Sequence, residues 1–316
     1  ADLMDHLNAL LSQPMEEIAL NGPLIEQAQN ILSEMPLAQR VYNGILNSQK
    51  ASSLPKWWLT DVGGPSVKRV LVRSSSKALN EGIEGILTYG GFHTVFLPEA
   101  VSVAERVHRE AWVLGERNEA SQNEAVLLKL SRDVLDLYYN DFISRYDQML
   151  GDIDIVPLES LSHAVEVTNV LSGPTSPIVN ILTEISNETR LNEDKSVLDA
   201  GALSAGAQSV AAIEARSTLS IQGQILLEAL VSSAENAPGQ PAKPPGAYVQ
   251  ERFQWLYDLV NRPEGQPSQL DNLMGQLQLV YQELNKMSFS GVATGGQSGQ
   301  ALLQFQQTAR RLGGPL

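Results

Sequence analysis

Apolar residues recur at helical spacing through most of the chain, and prolines and glycines cut that pattern into segments. Pro23 and Pro36 suit the first helical position, where a missing N–H costs nothing, and Leu37, Val41 and Ile45 then share one face. Trp57 and Trp58 read as a core wedge. Gly63-Gly64-Pro65 breaks the pattern, and the β-branched run Val67–Arg73 predicts a strand. In the glycine- and aromatic-rich stretch Gly82–Gly115, Thr88 is expected to cap a helical turn through Phe92 and Phe96. Pro98 should then open a helix over Glu99–Leu114, stopped by Gly115. The glycines there are expected to form turns that let Tyr89, Phe92, Phe96 and Trp112 pack into one knot.

The longest uninterrupted pattern, Asn123–Leu150, places Leu127, Leu130, Val134, Leu137, Tyr138, Phe142, Tyr146 and Met149 on one stripe, and Gly151 closes it. At about 1.5 Å per residue it is a strut roughly 40 Å long. Pro157 should open the next helix, with Leu161, Val165, Thr168 and Leu171 inward. After Gly173-Pro174, Ser176 as N-cap and Pro177 at the first position start a helix that buries Ile178, Ile181, Leu182 and Ile185. Residues 196–235, rich in Ala, Ser, Gly and Gln, read as helical, and Ala237–Gly246 reads as a Pro/Gly linker. Three helices should finish the chain. The first is marked by Phe253, Leu256, Tyr257 and Val260. The second starts from a Ser268/Asp271 capping box and carries Leu270, Leu273, Leu277, Val280 and Leu284. A flexible turn at Gly291–Gly299 precedes the last, marked by Leu302, Phe305 and Ala309. The fold class is therefore mainly α: a multi-helix bundle of two helical lobes with a minor strand element near residues 67–73. The first lobe spans residues 1–155 and the second 156–316, with the linker at about 237–246 inside the second.

Composition changes this picture little. Hydrophobic residues at 43% and charged residues at 18% are those of a folded globular chain. A formal charge of −14 without clustered Lys or Arg argues against a nucleic-acid partner. The absence of cysteine excludes disulfides, thiolate catalysis and Cys-ligated zinc, and it suits an oxidising envelope compartment. No run reaches the roughly 18 apolar residues that span a bilayer. The start Ala1-Asp2-Leu3 reads as a cut from a longer chain.

No constellation for chemistry emerges. His6, His93, His108 and His163 show no metal-pair spacing. Asp152 and Asp154 resemble the opening of a calcium loop, but Val156 and Pro157 stand where a ligand and the turn glycine belong. Gly295-Gly296-Gln297-Ser298-Gly299 lacks the spacing of a nucleophile elbow. No catalytic, cofactor-binding or metal-ligating residue is assigned, no cofactor is expected, and the chain is read as a non-enzyme. Two rival readings remain: an envelope cell-wall hydrolase using a converging carboxylate pair, or a cytosolic helical adaptor.

Several stretches in order then carry a family resemblance. They are Arg40-Val41-Tyr42, Gly85 through Phe92, Trp112 through Gly115, Tyr139 through Ile143, and Leu171 through Ile178 running into Thr189-Arg190-Leu191. From about residue 36 to 287 the chain resembles the periplasmic region of the TssM/IcmF family, the large inner-membrane subunit of the bacterial type VI secretion system. The segment 196–246 matches no pattern of that family. The resemblance implies a structural role in a periplasmic pillar that bridges inner to outer membrane. Its implied partners are other copies of itself and the subunits TssL and TssJ. TssJ would be met mainly through a β-rich domain of the family that is absent from residues 1–316.

Overall fold

The computed structural model describes residues 36–102, 124–193, 246–263, 265–290 and 298–312, together with Pro23. Among these the chain is mainly helical, with one two-stranded sheet. Helix α1 (Leu37–Leu46) starts after Pro36, buries Val41, Tyr42 and Ile45, and packs on the long helix. The short helices α2 (Gln49–Ser52), α3 (Leu59–Gly63) and α4 (Val67–Val70) follow, then strand β1 (Leu71–Arg73). The strand element is thus shorter than the run Val67–Arg73 predicts. Val67 and Val70 are buried in a helical turn instead, and that burial outweighs their β preference. The partner strand β2 (Ile153–Ile155) pairs antiparallel, with Leu71 opposite Ile155 and Arg73 opposite Ile153.

Helix α5 (Tyr89–Gly91) begins as expected, with the Thr88 hydroxyl accepting the Gly91 N–H at 3.0 Å. It runs into a π turn (Phe92–Phe96) and stays helical through residue 102. Pro98 therefore lies inside a helix rather than opening one. A proline in a regular helix presses its ring on the carbonyl four residues back and removes a hydrogen bond. The widened turn just ahead of it, closed by the Leu97 N–H on the Phe92 carbonyl, relieves that conflict. The rest of the expected helix, Trp112, the segment 196–235, most of the Pro/Gly linker and the turn from Gly291 lie outside the described residues.

The strut predicted over Asn123–Leu150 is α6 (Glu124–Asp152), with Val134, Tyr138, Phe142 and Tyr146 buried along it. Helix α7 (Leu161–Ser172) is capped by Ser160, whose hydroxyl accepts the His163 N–H at 3.1 Å, so Pro157 precedes the helix instead of opening it. Leu161 is exposed, and Val167, Thr168 and Leu171 face inward. Helix α8 (Pro177–Thr189) has Pro177 at its start, but the Ser176 hydroxyl makes no cap bond and is buried. Its buried face is Ile181, Leu182 and Ile185.

Helices α9 (Ala247–Val260), α10 (Gln269–Ser290) and α11 (Ser298–Arg311) complete the described chain. The Ser268/Asp271 capping box forms as predicted: the Asp271 N–H donates to the Ser268 hydroxyl at 2.9 Å and the Ser268 N–H to the Asp271 carboxylate at 3.0 Å. Helix α8 packs on α3 and α9, α9 packs on α6, and α10 packs on α7 and α11. One continuous apolar cluster runs from Val41 to Leu270. Among the described residues no helix is long and apolar enough to cross a membrane.

Candidate interaction surface

The centre of the molecule is an aromatic spine on α6. Phe96 stacks on Tyr138 with ring centroids 4.0 Å apart, and Phe142 lies 4.7 Å from Tyr146. Both tyrosines are fully buried, so their hydroxyls need partners, and they find them in the 3₁₀ turn Gly85–Leu87. Tyr138 donates to the Ile86 carbonyl at 2.9 Å and Tyr146 to the Leu87 carbonyl at 3.1 Å. This turn sits so close to its neighbours that glycine is required. A Cβ on Gly91 would lie 2.7 Å from the Ile86 Cα, and one on Gly85 would lie 2.6 Å from the Leu54 Cβ. Neither glycine has positive φ, so their role is close approach rather than the turn conformation the sequence suggests.

A polar junction locks α5 to the end of α8. The buried Glu188 carboxylate accepts the Tyr89 N–H at 2.6 Å, satisfying a donor that has no partner in its own helix. The Arg190 guanidinium donates to Glu193 at 2.9 Å and to Asn261 at 2.7 Å, and lies 4.2 Å above the Tyr257 ring. Burial pushes the Tyr257 phenol up to about 12 while its hydroxyl donates to Thr189 at 3.1 Å. His93 contacts the Leu191 carbonyl at 3.0 Å through Nε2 and its ring packs on Tyr89. This junction was not singled out from the sequence. One signal was present, because Glu188 continues the Ile181/Ile185 stripe and so falls on the apolar face of its helix.

Two surface features are built on this frame. A polar groove of 390 Å³ is lined by Lys56, Trp58, Arg73, Lys77, Asn80, Glu81, Glu84, Arg145 and Gln148, with Gly82, Ile83 and Met149. Arg73 spans it, held by Asp152 at 2.6 Å and Glu81 at 3.2 Å. Asp152 also accepts the Ser75 hydroxyl at 2.7 Å and the Ser75 N–H at 2.6 Å. The Ser75 hydroxyl bond first, then the Ser75 amide and the Arg73 guanidinium, hold the Asp152 carboxyl down at about 2, against desolvation. Asp152 is thus a structural anchor, and Asp154, which the calcium-loop comparison paired with it, stands opposite Val72 in the sheet. Far from the groove in sequence, α10 and α11 leave large apolar side chains in solvent: Phe289 is 87% exposed, Leu303 57% and Leu302 47%. Helix α10 carries Asp271, Glu283 and Lys286, and α11 carries Arg310 and Arg311 with no acidic residue.

Among the described residues no group of three or more His, Asp or Glu side chains could hold a metal ion. Asp271, like Asp152, sits at about 2, set first by its bond from Arg262. A general acid needs the opposite shift. Asp136 does shift upward, through burial and then the neighbouring charge of Asp133, against Arg132.

The sequence is similar to known proteins. Residues 1–190 match the IcmF-related family, described as intracellular multiplication and human macrophage-killing. The chain is also similar to the type VI secretion system component TssM1 of Pseudomonas aeruginosa, with 30% identity over 300 residues. That alignment takes in 94% of this chain but 26% of the relative, so the chain spans about a quarter of that protein's length. No solved structure matches the chain. The matched family region takes in the strut, the glycine-tight turn and the Glu188–Tyr89 contact of the junction, and the chain belongs to the IcmF-related family.

Proposed function

We propose that this chain is a structural, non-catalytic segment of the periplasmic part of a type VI secretion membrane complex. In this reading it bridges inner to outer membrane and packs against neighbouring subunits. The observation that carries the reading is the similarity to TssM1 across 94% of the chain. The packing supports it physically. An aromatic spine, a glycine-tight turn and a buried polar junction make a stiff body suited to transmitting geometry, and among the described residues α10 and α11 leave Phe289, Leu302 and Leu303 exposed.

The occupant of the α10–α11 face is a second copy of the chain. Helix α11 carries Arg310 and Arg311 in its last turn and no acidic residue, while the chain as a whole carries −14, so an acidic surface on a neighbouring copy would be its electrostatic complement. Head-to-tail contact of this kind uses two different surfaces and builds rings when it closes. TssL and TssJ are further partners in this reading, TssJ through a downstream β-rich domain. The test is co-purification of the tagged, folded chain with an untagged copy and with the other membrane-complex subunits. Recovery of both is expected. Capture of neither by a chain with a cooperative unfolding transition contradicts the reading.

A further inference from the structure

The polar groove lies apart from the α10–α11 face in the chain, and no contact proposed above uses it. We propose that it is a binding pocket for a carboxylated saccharide. At 390 Å³ it falls within the range of small-molecule pockets, about 300–1,000 Å³. Trp58 supplies a fixed platform. Gly82 lies so close to the indole that a Cβ there would come within 2.9 Å of Cε3 and 3.1 Å of Cδ2, while 36% of the residue stays open. A flat apolar face held in place is what the CH face of a sugar ring packs on.

The polar groups around it are not all used up. Lys56 makes no ion pair or hydrogen bond among the described residues, while Arg145 is ion-paired with Glu84 at 3.5 Å and Arg73 with Glu81 at 3.2 Å, two carboxylates that also line the groove. The Asn80 amide has no partner among the described residues, and Gln148 spends only its Nε2, on Ser144 at 2.9 Å. Amides match vicinal hydroxyls, and the unpaired Lys56 ammonium matches one carboxylate. An acidic peptide would engage the ammonium but leave the indole and both amides idle. The inference does not rest on the secretion reading, and its test can fail while that reading stands.

The test is calorimetric and NMR titration of the chain with N-acetylmuramic acid and with N-acetylglucosamine, which lacks the lactyl carboxylate. The acid is expected to bind about tenfold more tightly, the order of one charge-assisted hydrogen bond. Lys56→Ala, on the surface, should erase that preference, and Trp58→Ala should weaken both sugars. Trp58→Phe should retain part of the binding, which separates loss of the platform from loss of folding. The proposal is overturned if the acid does not bind, if both sugars bind equally, or if neither Lys56→Ala nor Trp58→Ala changes binding. A hexaglutamate peptide that displaces the acid at equal concentration also overturns it, in favour of a general basic patch.

Discussion

Replacing Gly91 by alanine adds one methyl group where local and tertiary arguments give opposite signs. Gly91 has φ −62 and ψ −38, which alanine adopts without strain, and it lies in a helical turn. Helix propensity alone therefore predicts a gain of about 1 kcal/mol. The structure predicts a loss. The new Cβ would sit 2.7 Å from the Ile86 Cα and 2.9 Å from the Gly85 carbonyl carbon. Both are backbone atoms, in a segment pinned by Tyr138 and Tyr146, so no flexible side chain can give way. Overpacking typically costs about 1–3 kcal/mol, and a rigid backbone wall places this site at the upper end, for a net loss of about 2 kcal/mol. At roughly 2–4 °C per kcal/mol for a large domain, Tm should fall by about 4–8 °C. The neighbouring Gly90→Ala is the control. Its Cβ meets nothing nearer than the Thr88 Oγ1 at 4.0 Å, so it should be neutral or stabilising by up to about 1 kcal/mol. Thermal and urea unfolding followed by circular dichroism read both. Gly91→Ala as stable as Gly90→Ala would refute the close-approach account of this turn.

Other outcomes follow from the same contacts. Tyr138→Phe leaves the buried Ile86 carbonyl without its donor and should cost about 1–3 kcal/mol in urea unfolding, with Tyr146→Phe similar through Leu87. Arg190→Lys keeps the charge but loses the forked bonds to Glu193 and Asn261, so hydrogen exchange at the amides of Tyr89–Gly91 and of α9 should rise. Asp152 and Asp271 both lie at about 2, below the ordinary aspartate value of ~3.9. A depressed folded value stabilises above the ordinary one and loses that contribution as pH falls towards about 2. Urea midpoints measured against pH should therefore drop over that window, and an Asp152→Asn/Asp271→Asn double variant should flatten the drop.

The periodic parts of the fold were legible because periodicity is local. Val134, Tyr138, Phe142 and Tyr146 announce the strut by spacing alone, and Ser268 with Asp271 announces its own cap. What sequence reasoning missed depends on distant partners. Strand β2 is only Ile-Asp-Ile, and its identity comes from pairing with residues more than seventy positions earlier. Pro98 carries every local sign of a helix start, yet a π turn supported by packing lets the helix pass through it. The glycines read as turns because closeness to Ile86 and Leu54 is invisible along the chain. The groove draws Lys56, Arg73, Asn80 and Arg145 from separate segments, none of which looks like a site by itself.

The proposed periplasmic position and the proposed docking through the α10–α11 face can be tested together by site-directed labelling. The segment contains no cysteine, so Phe289→Cys introduces a single thiol at the most exposed large apolar position among the described residues. The variant would be made in the protein as the cell produces it, with any cysteines elsewhere replaced, and treated with a membrane-impermeant maleimide after the outer membrane is opened. The account predicts labelling without cell lysis when the protein is expressed at low copy without its partner subunits, and protection once the complex assembles. Labelling only after lysis would contradict the compartment, and equal labelling in both states would contradict the docking face.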